Sequence, residues 1–61
     1  MPHKTRDVMS RLEKEGWTGE HGKGDHRNYR KPGHGVITID TGEKEVKKGL
    51  YGRIAKLAGW K

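Results

Sequence analysis

Nine branched aliphatic side chains, three each of Leu, Ile and Val, are what this chain has for a core, with no Phe and no Cys among its 61 residues. A chain of this size buries only about 60% of the surface that its unfolded form exposes. Each apolar residue therefore has to fall where a folding pattern can use it, because so thin a stock otherwise marks disorder. Two Trp and two Tyr offset the shortage, since an aromatic ring buries far more area than an aliphatic side chain. Without cysteine there is neither a disulfide framework nor thiol chemistry. The length allows one domain, taken as residues 1–61.

The few apolar residues do fall into patterns. In "TRDVMSRLEKE", Thr5–Glu15, Val8 and Leu12 share one helical face beside Met9. Thr5 is the expected N-cap, Asp7 puts negative charge into the first turn, and Gly16 is the stop. Trp17–His21 reads as a short strand running into a glycine turn at Gly22–Gly24. Residues 26–31, "HRNYRK", form a second strand closed by the turn signal "PGHG", and "VITID", 36–40, is the clearest strand in the chain. The polar, glycine-bounded "TGEKEVKKG" reads as a loop. In "LYGRIAKLAGW", Leu50, Ile54, Leu57 and Ala58 line one helical face; Gly59 stops the helix and Trp60 folds back on its last turn.

The order helix, three strands, helix implies a small two-layer α+β fold, with both helices on one face of a three-stranded antiparallel sheet. Alternation along 26–31 points Tyr29 away from His26, Asn28 and Arg30. With Tyr29 under the helices, His26 emerges on the uncovered face.

Fourteen Lys and Arg against eight Asp and Glu give a net charge of +6. This attracts polyanions, RNA or DNA first and an acidic protein second; a basic surface kept for solubility is the plain alternative. No apolar run reaches membrane-spanning length, and the first residues lack a signal-peptide core. The chain reads as cytoplasmic, with no membrane role.

His21, His26 and His34, five and eight residues apart, with Asp25 nearby, do not match a recognised metal-ligand spacing. No metal or other cofactor is expected. The glycines at 19, 22 and 24 join two strands instead of opening a helix, so they are not a phosphate-cradling loop. Neither an acyl-transfer triad nor a glycosidase carboxylate pair is apparent. What remains is histidine among cations. Lys23, Arg27, Arg30 and Lys31 surround His26, with Lys44, Lys47 and Lys48 from the later loop. Cations neutralise phosphates, and histidine moves protons near neutrality. Cleavage of RNA through its own 2′-OH needs this equipment, whereas DNA lacks that internal nucleophile.

Over nearly its whole length, through "DVMSRLEKEGW", "GDHRNYRKPG", "VITI" and "KKGLYGRIAKLAGW", the chain resembles the HicA family of type II toxin–antitoxin systems. The resemblance implies a double-stranded-RNA-binding-domain-like fold of order α-β-β-β-α. It also implies an mRNA interferase, an endoribonuclease that acts through one histidine and is silenced by an acidic HicB-like antitoxin. By match to the motif that histidine is His26, and Gly24 sets the turn before it. Asp25 stands where serine is usual; it either orients His26 and raises its pKa, favouring the acid role, or caps the turn. Leu50 stands at the usual threonine and Gly52 at a better helix former.

The expected activity is therefore metal-independent cleavage of mRNA, with His26 as general acid or base and a chain that is monomeric when free. Lys23, Arg27, Arg30, Lys31, Lys47 and Lys48 are the expected phosphate contacts. The alternatives are a non-catalytic RNA-binding module of the same fold and an adaptor for an acidic protein.

Overall fold

A computed structural model describes residues 3–60. Its elements run β1 (His3–Lys4), α1 (Thr5–Lys14), β2 (Thr18–His21), β3 (His26–Arg30), β4 (Val36–Asp40), β5 (Glu45–Val46) and α2 (Lys48–Ala58). Strands β2, β3 and β4 form one antiparallel sheet in that order, with Gly19 and Ile37 on either side of Tyr29 and Asp40 opposite His26. This is the α+β, α-β-β-β-α arrangement expected from the order of the elements.

One hydrophobic cluster joins the layers: Val8 and Leu12 of α1, Trp17, Tyr29, Ile37, Ile39, Val46, Ile54 of α2 and Trp60. Six of the nine branched aliphatics are in this cluster and two more, Leu50 and Leu57, pack against it, so the exception is Val36, exposed at the start of β4. Tyr29 is fully buried, and its hydroxyl donates to Glu13 Oε2 at 2.7 Å, tying the sheet to α1.

Both helices end alike. Gly16 and Gly59 hold φ of +95° and +78°, a left-handed region that glycine enters at little cost. In each case the next residue, Trp17 or Trp60, donates its N–H back to the helix, to Leu12 at 3.0 Å and to Ala55 at 2.7 Å. Two Gly-Trp pairs thus stop both helices and turn two large rings into the core. Since the Trp17 N–H is used in this way, β2 starts one residue later than the sequence pattern suggested.

Three local expectations are corrected. Thr5 is the first helical residue instead of the cap: it is buried, its hydroxyl donates to the Glu43 carbonyl at 2.6 Å and its N–H to the Lys44 carbonyl at 2.9 Å. Residues 41–49 are not wholly a loop, because Glu45 and Val46 pair with Lys4 and His3 in a two-residue antiparallel ribbon. The turn leading into this ribbon supplies the carbonyls, of Glu43 and Lys44, that hold the start of α1, so a tertiary contact replaces the side-chain cap. Finally, α2 begins at Lys48, two residues before Leu50, with the Tyr51 N–H donating to the Lys47 carbonyl at 2.8 Å. Among the described residues no helix is long and apolar enough to cross a membrane.

Candidate active site on the open sheet face

Strand alternation divides the chemistry of β3. Tyr29 and Arg27 face the helices, while His26, Asn28 and Arg30 emerge on the other side. Cross-strand partners extend this open face: Thr18 and Glu20 from β2, and Val36, Thr38 and Asp40 from β4.

His26 is exposed and is held by the turn before it. The Gly22 N–H donates to the His26 carbonyl at 2.8 Å, closing the β2–β3 hairpin. Gly24 takes φ +64° inside the turn. The Lys23 carbonyl then faces the histidine from two directions, 3.3 Å from its backbone N–H and 3.0 Å from Nδ1. A carbonyl oxygen can only accept, so the proton of the neutral ring sits on Nδ1 and the Nε2 lone pair is left free.

Asp25 contributes through its backbone. Its carbonyl accepts from the N–H and the hydroxyl of Thr41, both at 2.6 Å, which fastens the histidine turn to the end of β4. The partner of His26 Nδ1 is the Lys23 carbonyl and not the Asp25 carboxylate, which lies toward Gly42. Asp40, across the ladder from His26, accepts the Gly42 N–H on Oδ1 at 2.9 Å. At the centre of the face, the Thr38 hydroxyl donates to Asn28 Oδ1 at 2.9 Å.

The six cations named from the sequence do not form one cluster. Lys23 lies in the histidine turn and Arg30 on the open face, paired loosely with Glu20 at 3.6 Å. Both partners of that pair are more than half exposed, so the contact is weak. Lys47 and Lys48 open α2, and Lys47 shares a groove with Asp40, at the His26 end of the sheet. Arg27 points the other way, beside the Tyr29 ring, where it counteracts the effect of burial and of Glu13, which together raise the phenol pKa. Lys31 lies past the end of β3 and donates from Nζ to the Glu15 carbonyl at 2.8 Å, capping α1.

Two features were missed in the sequence. Arg53 shares a groove with Thr38 and Val36 at the edge of β4; its spacing from Leu50 and Leu57, three and four residues, places it on that side of α2. The Asn28–Thr38 pair could have been found only from the β3–β4 register, which sequence alternation does not supply.

The histidines considered for a metal go to different places. His21, paired with Arg27, is on the helix side of the sheet, His26 is on the open side, and His34 lies against Trp17 with ring centres 5.6 Å apart. Among the described residues no three His, Asp or Glu side chains converge as metal ligands.

No curated protein matches the chain significantly. A family model described as the HicA toxin of bacterial toxin–antitoxin systems matches residues 5–60, from the first residue of α1 to the Trp that ends the core. With all but the ends of the chain inside that match, the protein belongs to the HicA toxin family.

Proposed function

We propose that this toxin is a metal-independent endoribonuclease that cleaves mRNA in the cytoplasm with His26. The observation that carries this reading is the pairing of the exposed His26 through Nδ1 with the Lys23 carbonyl at 3.0 Å, which in the neutral ring leaves the Nε2 lone pair free. Nε2 takes the proton of a ribose 2′-OH, and the 2′ oxygen attacks the adjacent phosphorus. The bond from phosphorus to the 5′ oxygen breaks as that oxygen takes a proton from water, leaving a 2′,3′-cyclic phosphate and a 5′-hydroxyl, and the proton on Nε2 passes to the hydroxide so formed. In this tautomer histidine starts as the base. The internal nucleophile removes the need for a metal-activated water.

Lys23 and Arg30 supply the cations beside His26 and on its face, and Lys47 and Lys48 at the start of α2, with Arg53 at the edge of β4, extend them around the sheet. They neutralise phosphates and set the register of the strand. Arg27 and Lys31 serve Tyr29 and the end of α1 instead. Gly24 and the Asp25 backbone act by holding the turn. An acidic antitoxin, attracted by the +6 charge, silences the enzyme by covering the open face, and the free toxin is a monomer.

The test is His26→Ala. Cleavage of a single-stranded RNA in EDTA falls by at least about a thousandfold, while RNA affinity stays within about threefold, as expected when a proton-transfer group is lost. Persistent cleavage removes His26 from the chemistry. A wild-type protein that binds RNA without cutting it is the binding module, and one with no RNA affinity at low salt is the adaptor.

A further inference from the structure

Phosphate contacts carry no sequence information, and single-stranded RNA is read through the edges of splayed bases. The open face holds one place suited to such reading. Arg30 and Glu20 engage each other, and Asp40 accepts from Gly42. Asn28 and Thr38, directly opposite in the ladder, are the uncharged hydrogen-bonding pair between them. The Thr38 hydroxyl gives its proton to Asn28 Oδ1 at 2.9 Å. This fixes the amide with its NH₂ group away from Thr38, toward Gly22, where a Cβ would come within 3.4 Å of Nδ2. Nδ2 has no acceptor among the described residues. The Thr38 oxygen, having donated, keeps lone pairs for a donor. Together the two side chains present donors beside an acceptor, the complement of a Watson–Crick edge.

Their position fits the proposed cleavage. Asn28 is two residues from His26 on the same strand and face, a separation of about 7 Å. That is comparable to the step between neighbouring nucleotides in an extended strand. We infer that Asn28 reads the base next to the scissile phosphate, with Thr38 as a positioning residue that locks the amide orientation. The inference rests on the proposed function only in taking RNA as the occupant of the His26 face.

Binding by the cleavage-dead His26→Ala protein tests it independently of catalysis. The probes are short single-stranded RNAs randomised at one position at a time. The parent variant prefers one base at one position by about fivefold or more. Adding Asn28→Ala brings that preference to within about twofold, while the poorest base binds as before. Adding Asn28→Asp, which still accepts from Thr38 but has no NH₂, moves the preference toward bases offering a donor. Thr38→Val weakens the preference and Thr38→Ser restores it, which a purely structural role of Thr38 does not explain.

A parent without base preference, or a preference that survives Asn28→Ala, overturns the inference. So does an Asn28→Ala protein whose RNA selectivity is intact but whose antitoxin binding is weakened, because the pair then belongs to a protein interface. If base selectivity is lost as described and the wild type cuts no RNA, the reading of Asn28 stands and the ribonuclease falls.

Discussion

The Lys23 carbonyl oxygen lies 3.0 Å from His26 Nδ1, in a turn whose shape depends on Gly24 at φ +64°. A backbone acceptor thus does for His26 what a buried carboxylate does in many catalytic histidines: it selects the tautomer and fixes the ring. A Cβ at Gly24 meets no atom, so the cost of a side chain there is conformational, about 1–2 kcal/mol for a left-handed residue. Gly24→Ala is expected to lower RNA cleavage about tenfold or more while RNA affinity changes less than about threefold. Single-turnover rates beside equilibrium binding measure the split; equal losses in both would mean that the turn binds RNA and does not orient the base.

Arg27 and Arg30 separate two roles that look identical in the sequence. Arg30 is on the open face and Arg27 on the helix side beside Tyr29. Arg30→Ala should weaken RNA binding across sequences and reduce the slope of log affinity against log salt by about 1. Arg27→Ala should leave that slope unchanged and lower the melting temperature. A salt titration of both variants decides it, and a reduced slope for Arg27→Ala would place RNA on the wrong side of the sheet.

Glu15 joins the two helix ends. Its carboxylate accepts from the Trp60 indole at 2.7 Å and from Arg11 Nε at 3.1 Å. The indole hydrogen bond leads, opposed by desolvation and assisted by Arg11 and Lys31, in holding its pKa below the ordinary carboxylate value. A depressed folded-state pKa contributes stability above the unfolded value, lost as pH falls through the folded value. Stability should therefore decline below about pH 4.5, the ordinary value for this carboxyl. Glu15→Gln should show a shallower acid decline in urea melts at several pH values; an unchanged decline would assign it to other carboxylates.

Tyr29 has the opposite sign. Burial, and then the hydrogen bond to Glu13, raise its phenol pKa above 10.0. The folded state holds this proton more tightly than the unfolded one, so the contribution is complete below pH 10 and is lost as pH rises through the folded value. Tyr29→Phe should cost about 1 kcal/mol at neutral pH, the net worth of such a hydrogen bond, and remove part of the alkaline decline. Denaturant melts from pH 7 to 11 test both, and a variant as sensitive to alkali as the wild type would overturn the assignment.

Local periodicity already specified most of this fold. Val8 with Leu12, and Leu50, Ile54 and Leu57, repeat at helical spacing, and Ile37 and Ile39 alternate on β4. The Gly-Trp pairs announced both helix ends. The placing of Tyr29 opposite His26 also followed from alternation alone. Tertiary structure decided what has no local signal. Two-residue strands such as β1 and β5 are too short for any period, and they exist because they pair with each other. Thr5 took its hydrogen bonds from the Glu43 and Lys44 carbonyls, in the turn just before that ribbon, and not from its own helix. Charge is equally silent about destination: Arg27, Arg30 and Lys31 are alike as cations, yet one lies beside a buried phenol, one on the open face and one on a helix end. The tautomer of His26 likewise belongs to the turn, because only the folded chain brings the Lys23 oxygen to Nδ1. Periodic burial is a property of neighbours in sequence, whereas the partner of each polar atom is a property of neighbours in space.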